Sequence, residues 1–79
     1  MVIYYIVNCP HPVAGTTYGI AGQMFDLQGS TVKSVFVPDI SCDRQSVLNL
    51  AGKCTDGQLT LEQIWDVVYD TIQSVSYTH

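Results

Sequence analysis

The sequence predicts an α+β fold, in which a three-stranded antiparallel sheet is followed by two helices packed on one of its faces (β-β-β-α-α). Three observations support this: the chain opens with an apolar and aromatic run, two further β-rich segments flank a Gln-Gly-Ser-Thr turn, and helical patterns fill the second half. Strands that come first and helices that follow favour segregated layers. The 79 residues have room for one domain, residues 1–79.

Composition and charge narrow the class of partner. The chain is 47% hydrophobic and 13% charged, which is typical of a globular domain. Seven acidic residues against three basic ones give a net charge of −4, which argues against nucleic acid or an anionic membrane and favours a basic protein. Three widely spaced cysteines do not form a secreted disulfide framework. We expect a cytoplasmic protein that starts at Met1, because the opening run is too short for a membrane span and lacks a basic leader.

The first predicted strand, within Met-Val-Ile-Tyr-Tyr-Ile-Val, is apolar on both sides. Because side chains alternate along a strand, one face holds Val2, Tyr4 and Ile6 and the other Ile3, Tyr5 and Val7. Two short helices can cover one face only, so we expect Tyr4, Tyr5 and Ile6 to bind a second molecule. A homodimer is favoured because twofold dimers are common. A different protein partner, or a monomer with surface tyrosines, remains open. We expect this strand to be the middle one.

Turn signals divide the rest of the sheet. The prolines of Asn-Cys-Pro-His-Pro-Val-Ala-Gly predict a turn from the end of the first strand to about Gly15. In the next strand, Gly19 and Gly22 suggest a bulge or a close approach of a neighbouring backbone. The Gln-Gly-Ser-Thr turn then predicts a hairpin with Val-Lys-Ser-Val-Phe-Val. That third strand places Val32, Ser34 and Phe36 on one side, and we expect Pro38 to end the sheet.

Two helices are predicted after Pro38. Ser41 is a candidate N-cap with Asp43 in the first turn, and an apolar stripe follows at Val47, Leu50, Ala51 and Cys54, before a Thr-Asp-Gly turn. Thr60 and Gln63 form a capping-box pattern that opens the second helix, roughly residues 61–75. Its predicted core stripe is Leu61, Ile64, Trp65, Val68, Ile72 and Val75.

An acidic ridge runs along the second helix. Glu62, Asp66 and Asp70 recur every four residues, so like charges face each other at a cost of a few tenths of a kcal/mol per pair. These three residues are candidates for binding a basic partner, although the pattern favours the alternative. The alternative is a solvated face that keeps the protein soluble.

Candidate chemistry is sparse. Cys9 and His11 could contribute to a nucleophilic pair, or with Cys42 and Cys54 to a zinc site, but none of the close ligand pairs typical of structural zinc is present. We expect Cys42 and Cys54 to be small buried residues. We therefore predict no catalytic residue, no metal and no cofactor. A thiol-dependent enzyme at Cys9 and His11 is the weaker alternative.

The chain resembles a family of small bacterial proteins of unknown function. The resemblance lies in the Tyr-Gly-Ile strand, the capped short helix and the closing Asp-Val-Val-x-Asp helix, at positions Tyr18, Gly19, Ile20, Ser41, Asp43, Val47, Leu50, Asp66, Val67, Val68 and Asp70. It covers most of the chain, implies a bacterial or phage-borne domain and supplies no activity. We predict a non-catalytic interaction module that self-associates through the sheet face. The alternative is a phage or mobile-element inhibitor that blocks a host protein.

Overall fold

The computed structural model describes residues 1–76, with side-chain surroundings up to residue 71. Three strands, β1 (Val2–His11), β2 (Gly15–Phe25) and β3 (Thr31–Ser41), precede helix α1 (Arg44–Asp56). A 3₁₀ turn (Leu61–Gln63) leads into helix α2 (Ile64–Ser76). The structure confirms the predicted β-β-β-α-α order and α+β class.

The sheet is antiparallel with the order β1-β2-β3, so β2 lies in the middle and β1 at an edge. The prediction that the first strand is central is wrong. Both connections between strands are short, and short hairpin loops place each strand beside its neighbour in sequence.

The first strand is longer than predicted. It continues through Cys9 and Pro10 to His11, and the turn is confined to residues 12–14, where His11 Nδ1 accepts hydrogen bonds from the amides of Val13 (3.1 Å) and Ala14 (3.0 Å). Proline is tolerated because β1 is an edge strand. Residue 10 shares the alternation of Val2 and Tyr4, whose amides point away from β2.

The second hairpin confirms the predicted turn. Asp26 Oδ1 accepts hydrogen bonds from the amides of Gln28 and Ser30, both at 2.9 Å, and Gly29 has a φ of 84° that favours glycine. The third strand then continues past Pro38 to Ser41, so the prediction that Pro38 ends the sheet is wrong. Since β3 is the other edge strand, the missing amide of Pro38 removes no ladder bond.

A bulge in β3 lies opposite Gly19. Ile20 pairs with Val37, whereas Tyr18 pairs with Ser41, so β3 has extra residues at this point. A Cβ atom on residue 19 would collide with the Val37 carbonyl oxygen and lie 3.0 Å from Pro38 Cα. The predicted bulge and close backbone approach at Gly19 are therefore confirmed.

Both helices pack on one face of the sheet, where the core lies. Ile20 and Ile64 are fully buried at its centre, and burying a side chain of this size stabilises the fold by about 1.5–3 kcal/mol. Gly22 leaves room for the ring of Tyr4, since a Cβ there would lie 2.6 Å from Tyr4 Cε1. The buried cluster consists of Val2, Tyr4, Ile20, Val37, Val47, Ala51, Cys54, Leu61, Ile64 and Val68.

The cap of α1 differs from the prediction. Asp43, not Ser41, is the N-cap, and its carboxylate accepts hydrogen bonds from the Gln45 amide (3.1 Å) and the Ser46 hydroxyl (2.6 Å). The bond from Ser46 lowers the pKa of Asp43. Ser41 still belongs to β3, so the helix cannot begin there.

The start of α2 explains why part of its predicted stripe is wrong. Gln63 Oε1 accepts a hydrogen bond from the Thr60 amide at 3.3 Å, as in the predicted capping box. Because a 3₁₀ turn has three residues, it aligns Leu61 with Ile64, and both are buried with Val68. Trp65 falls beside this line and is 52% exposed, contrary to prediction. Ile72 and Val75 lie outside the residues whose side chains are described.

Two side chains at and just after the C-terminal end of α1 hydrogen-bond the exposed backbone edge of β1. The side-chain amide of Gln58 bonds both backbone groups of Val2, accepting from the amide (3.0 Å) and donating to the carbonyl (3.1 Å). Thr55 Oγ1 accepts from the Tyr4 amide at 2.9 Å and lies 3.2 Å from the Tyr4 carbonyl oxygen. These two side chains occupy positions that another strand would otherwise use. The predicted Thr-Asp-Gly turn is wrong in its first two residues, which belong to α1.

Replacing Thr55 with valine is expected to destabilise the fold by about 1–3 kcal/mol, because the Tyr4 amide loses its partner without regaining water. Denaturant unfolding checks this. Thr71→Val is the matched control, since Thr71 makes the same bond to a carbonyl four residues earlier but is exposed, and among the described residues its hydroxyl bonds only to its own helix. Equal effects of the two substitutions would contradict a role for the edge seal.

Candidate interaction surfaces

The face of the sheet opposite the helices is uncovered in the single chain. In register, Tyr5 of β1 pairs with Ala21 of β2, which pairs with Phe36 of β3, so the three side chains form a row across the sheet. Tyr5 is 43% exposed and Phe36 48% exposed. We call this side the outer sheet face, and it consists of Ile3, Tyr5, Val7, Ala21, Gln23, Val32, Ser34 and Phe36.

None of these eight residues is Asp, Glu, Lys, Arg or His, and the Asp39 carboxylate, which accepts a hydrogen bond from Thr17, lies farther along the same side of β2. The chain as a whole has a net charge of −4. Lys33 is the one charged residue of β3 within Thr31–Val37, and its side chain lies on the helix side of the sheet with those of Val35 and Val37. A neutral, apolar and aromatic surface on an acidic protein is one where two copies can meet without repulsion between like charges.

The structure separates the three strand residues that the sequence predicts to bind a partner. Tyr4 lies in the core, where its hydroxyl donates to the Leu59 carbonyl at 2.7 Å and burial raises its pKa. Ile6 is partly buried against the same core. Of the three, only Tyr5 belongs to the outer sheet face. The sequence analysis missed Phe36 and Val32 as partner residues, although their shared side of β3 was the available signal.

A second surface lies beside α2. Trp65 and Tyr69, one turn apart, are 52% and 62% exposed. Together with Asp66 and Val68 they line an open groove of about 430 Å³, whose other wall is Val37 and Pro38 at the bulge of β3. Exposed tryptophan and tyrosine next to an apolar wall are typical of surfaces that bind proteins.

The first residue of the acidic ridge forms an ion pair within the chain. Lys33 Nζ lies 2.7 Å from Glu62 Oε1, and the bond from Lys33 lowers the pKa of Glu62. Both side chains are largely exposed, so water screens the pair. Asp66 and Asp70 are exposed farther along the helix. Glu62 is thus engaged within the chain, whereas Asp66 borders the groove.

The structure does not bring the sulfur and imidazole groups into one site. Cys9 and Cys54 are buried, whereas Cys42 is exposed, so the prediction that Cys42 is buried is wrong. His11 Nδ1 accepts hydrogen bonds from the amides of two residues in the β1–β2 turn. Among the described residues, no three His, Cys, Asp or Glu side chains lie close enough together to hold a metal ion.

Thiol labelling is expected to distinguish the cysteines. In the folded protein, Cys42 should react with a disulfide reagent at neutral pH, whereas Cys9 and Cys54 should react only after unfolding, because burial blocks access and also raises the pKa of Cys54. Mass spectrometry of the labelled protein identifies the site, and Cys42→Ser is the control that should remove the rapid reaction. Rapid labelling of Cys54 would contradict this arrangement.

Neither α1 nor the described part of α2 is long and apolar enough to cross a lipid bilayer. The model of a family of unknown function, DUF6514, matches residues 1–74 of the chain. No curated protein and no solved structure matches significantly. The family match confirms the resemblance to a family of unknown function, whereas the bacterial origin stays a prediction.

Proposed function

Since the chain belongs to the family of unknown function DUF6514, we propose its role from its own surfaces: it is a non-catalytic interaction module that self-associates through the outer sheet face. The observation that carries this proposal is the uncharged row of Tyr5, Ala21 and Phe36, in which the two aromatic side chains are nearly half exposed on either side of the small, buried Ala21. A second copy placed across a twofold axis would bury the row against itself.

The protected edge of β1 supports packing through the face. The side chains of Gln58 and Thr55 form hydrogen bonds with the backbone of Val2 and Tyr4 on that edge. A strand of another copy therefore cannot pair along this half of β1 without displacing Thr55 of α1 and Gln58, which follows the helix. Burial of the outer sheet face needs no such displacement, because its side chains already project away from the helices.

The proposal of a non-catalytic role rests on the state of the candidate groups. His11 Nδ1 accepts hydrogen bonds from two backbone amides, Cys9 is buried, and the groove beside α2 is mainly apolar. A nucleophile needs a nearby base and access to substrate. These three features favour binding over catalysis.

Light scattering on a sizing column tests the self-association, with the protein diluted over roughly a hundredfold range so that mass action can act. We expect a mass of twice the 8.7 kDa chain at the highest concentration, falling toward that of one chain on dilution if the interface is weak. A mass of one chain throughout the range would overturn the proposal.

A further inference from the structure

The backbone of β3 has a free edge next to α2. Val2 and Tyr4 point their amides away from β2, so their partners Met24 and Gly22 point theirs toward β3. By the same alternation, the amides and carbonyls of Ser34 and Phe36 point away from the sheet. In the part of the chain that the structure describes, no side chain hydrogen-bonds these groups as Gln58 and Thr55 hydrogen-bond the backbone of β1.

The groove lies at one end of this edge. Val37 and Pro38, which follow Phe36 directly, form one wall, and Trp65 and Tyr69 of α2 form the other. A segment that pairs with Ser34 and Phe36 therefore enters the groove as it continues along β3. Addition of an extended segment to a sheet edge beside a side-chain pocket is a recurrent mode of peptide recognition.

The charges around the groove indicate the kind of segment. Asp66 lines it and Asp70 follows one turn later, both exposed. The nearest basic residue in sequence on β3, Lys33, already binds Glu62, and the other two, Arg44 and Lys53, belong to α1. A lysine or arginine in the groove would find a carboxylate at Asp66 and the ring faces of Trp65 and Tyr69, which attract cations.

We propose that β3 and α2 together bind an extended basic segment of a partner protein, which adds to the free edge at Ser34 and Phe36 and places a cationic side chain against Trp65, Tyr69 and Asp66. This site uses the backbone edge of Ser34 and Phe36, whose side chains belong to the outer sheet face, but its groove opens on the helix side, away from Tyr5. Two self-associated copies would each present one such site.

Trp65 is the only tryptophan of the protein, so its fluorescence reports on the groove directly. The probe is a short capped peptide that alternates valine and lysine, titrated into the full chain at low salt. The control peptide has glutamate in place of lysine. We expect a saturable change of Trp65 fluorescence with the lysine peptide alone, and roughly three- to tenfold weaker binding for Asp66→Asn, as befits one partly exposed charge pair.

Proline substitution tests the strand addition. Ser34→Pro removes an amide that points outward, so the fold is preserved while binding weakens roughly tenfold through the lost backbone bond and the blocked edge. Asn8→Pro is the matched control on β1, at an exposed position whose amide also points away from β2, and it should bind as the native chain does. Circular dichroism verifies that both variants are folded.

Each outcome decides a part of the proposal. Absence of a saturable change, or equal binding of the glutamate peptide, would overturn the basic-segment site. Equal binding by Ser34→Pro and the native chain would overturn the strand addition. The Tyr5→Glu variant separates this site from the proposed function, because it should lose self-association and keep peptide binding. If the Tyr5→Glu variant instead has the same solution mass as a self-associated native chain, self-association through the outer sheet face is overturned, and the peptide titration still decides whether the groove binds a basic segment.

Discussion

Phe36→Glu and Tyr5→Glu are each expected to abolish the proposed self-association and to leave a folded single chain. Both residues are nearly half exposed in the single chain, so glutamate there remains hydrated and the fold is retained. In a twofold dimer each substitution places two carboxylates in the buried interface. An unpaired buried charge costs several kcal/mol, and a loss of about 4 kcal/mol weakens association roughly a thousandfold.

Light scattering of the two variants and the native chain, at matched concentrations, measures this effect. Trp65→Glu is the control, because Trp65 is an equally exposed aromatic residue on the opposite side of the sheet. It should leave the mass unchanged. If Phe36→Glu and Tyr5→Glu both remain associated and folded, the copies do not meet through the outer sheet face.

Gly19→Ala is expected to be the most disruptive single-methyl substitution in the sheet, lowering the free energy of unfolding by about 2–4 kcal/mol. Its Cβ would meet the Val37 carbonyl oxygen and the Pro38 Cα atom, which are backbone atoms of the neighbouring strand and cannot rotate away. The strand would have to separate at the bulge, where β3 also forms one wall of the groove.

Gly52→Ala provides the opposite control. Gly52 lies inside α1, and a Cβ there meets nothing within 4 Å. Alanine should therefore stabilise the protein by about 0.5–1 kcal/mol, the usual preference for alanine over glycine inside a helix. Chemical unfolding of both variants compares the same chemical change in two settings. A small effect of Gly19→Ala would contradict the close approach of β2 and β3.

Local signals in the sequence predicted most elements correctly. The turn after β2 was recognisable from Gln-Gly-Ser-Thr, because glycine and serine favour turns through their own backbone and side-chain groups. The capping box at Thr60 and Gln63 was recognisable for the same reason: its partners are three residues apart. Gly19 could be assigned to a bulge because a strand rarely contains glycine without a close neighbour.

The errors arose where one element depends on another. Pro10 and Pro38 were predicted to end strands, and they lie inside strands because β1 and β3 are edges, which local sequence does not reveal. Trp65 was assigned to the core because its spacing fits a helix face, but the 3₁₀ turn at Leu61–Gln63 aligns Leu61 with Ile64 and Val68 in the core and leaves Trp65 exposed. Tyr4 was expected at a surface, but it is buried, because Gly22 leaves space for its ring and the Leu59 carbonyl accepts a hydrogen bond from its hydroxyl.

The sequence by itself determined the α+β class, the order of the elements and the presence of a strand that is apolar on both faces, because these follow from side-chain periodicity and turn chemistry. Only the tertiary structure decided which face is covered, that Tyr5, Ala21 and Phe36 form one row, and that Gln58 and Thr55 seal the β1 edge. The reason is physical: these features depend on pairing between residues distant in sequence, and such pairs leave no fixed spacing along the chain.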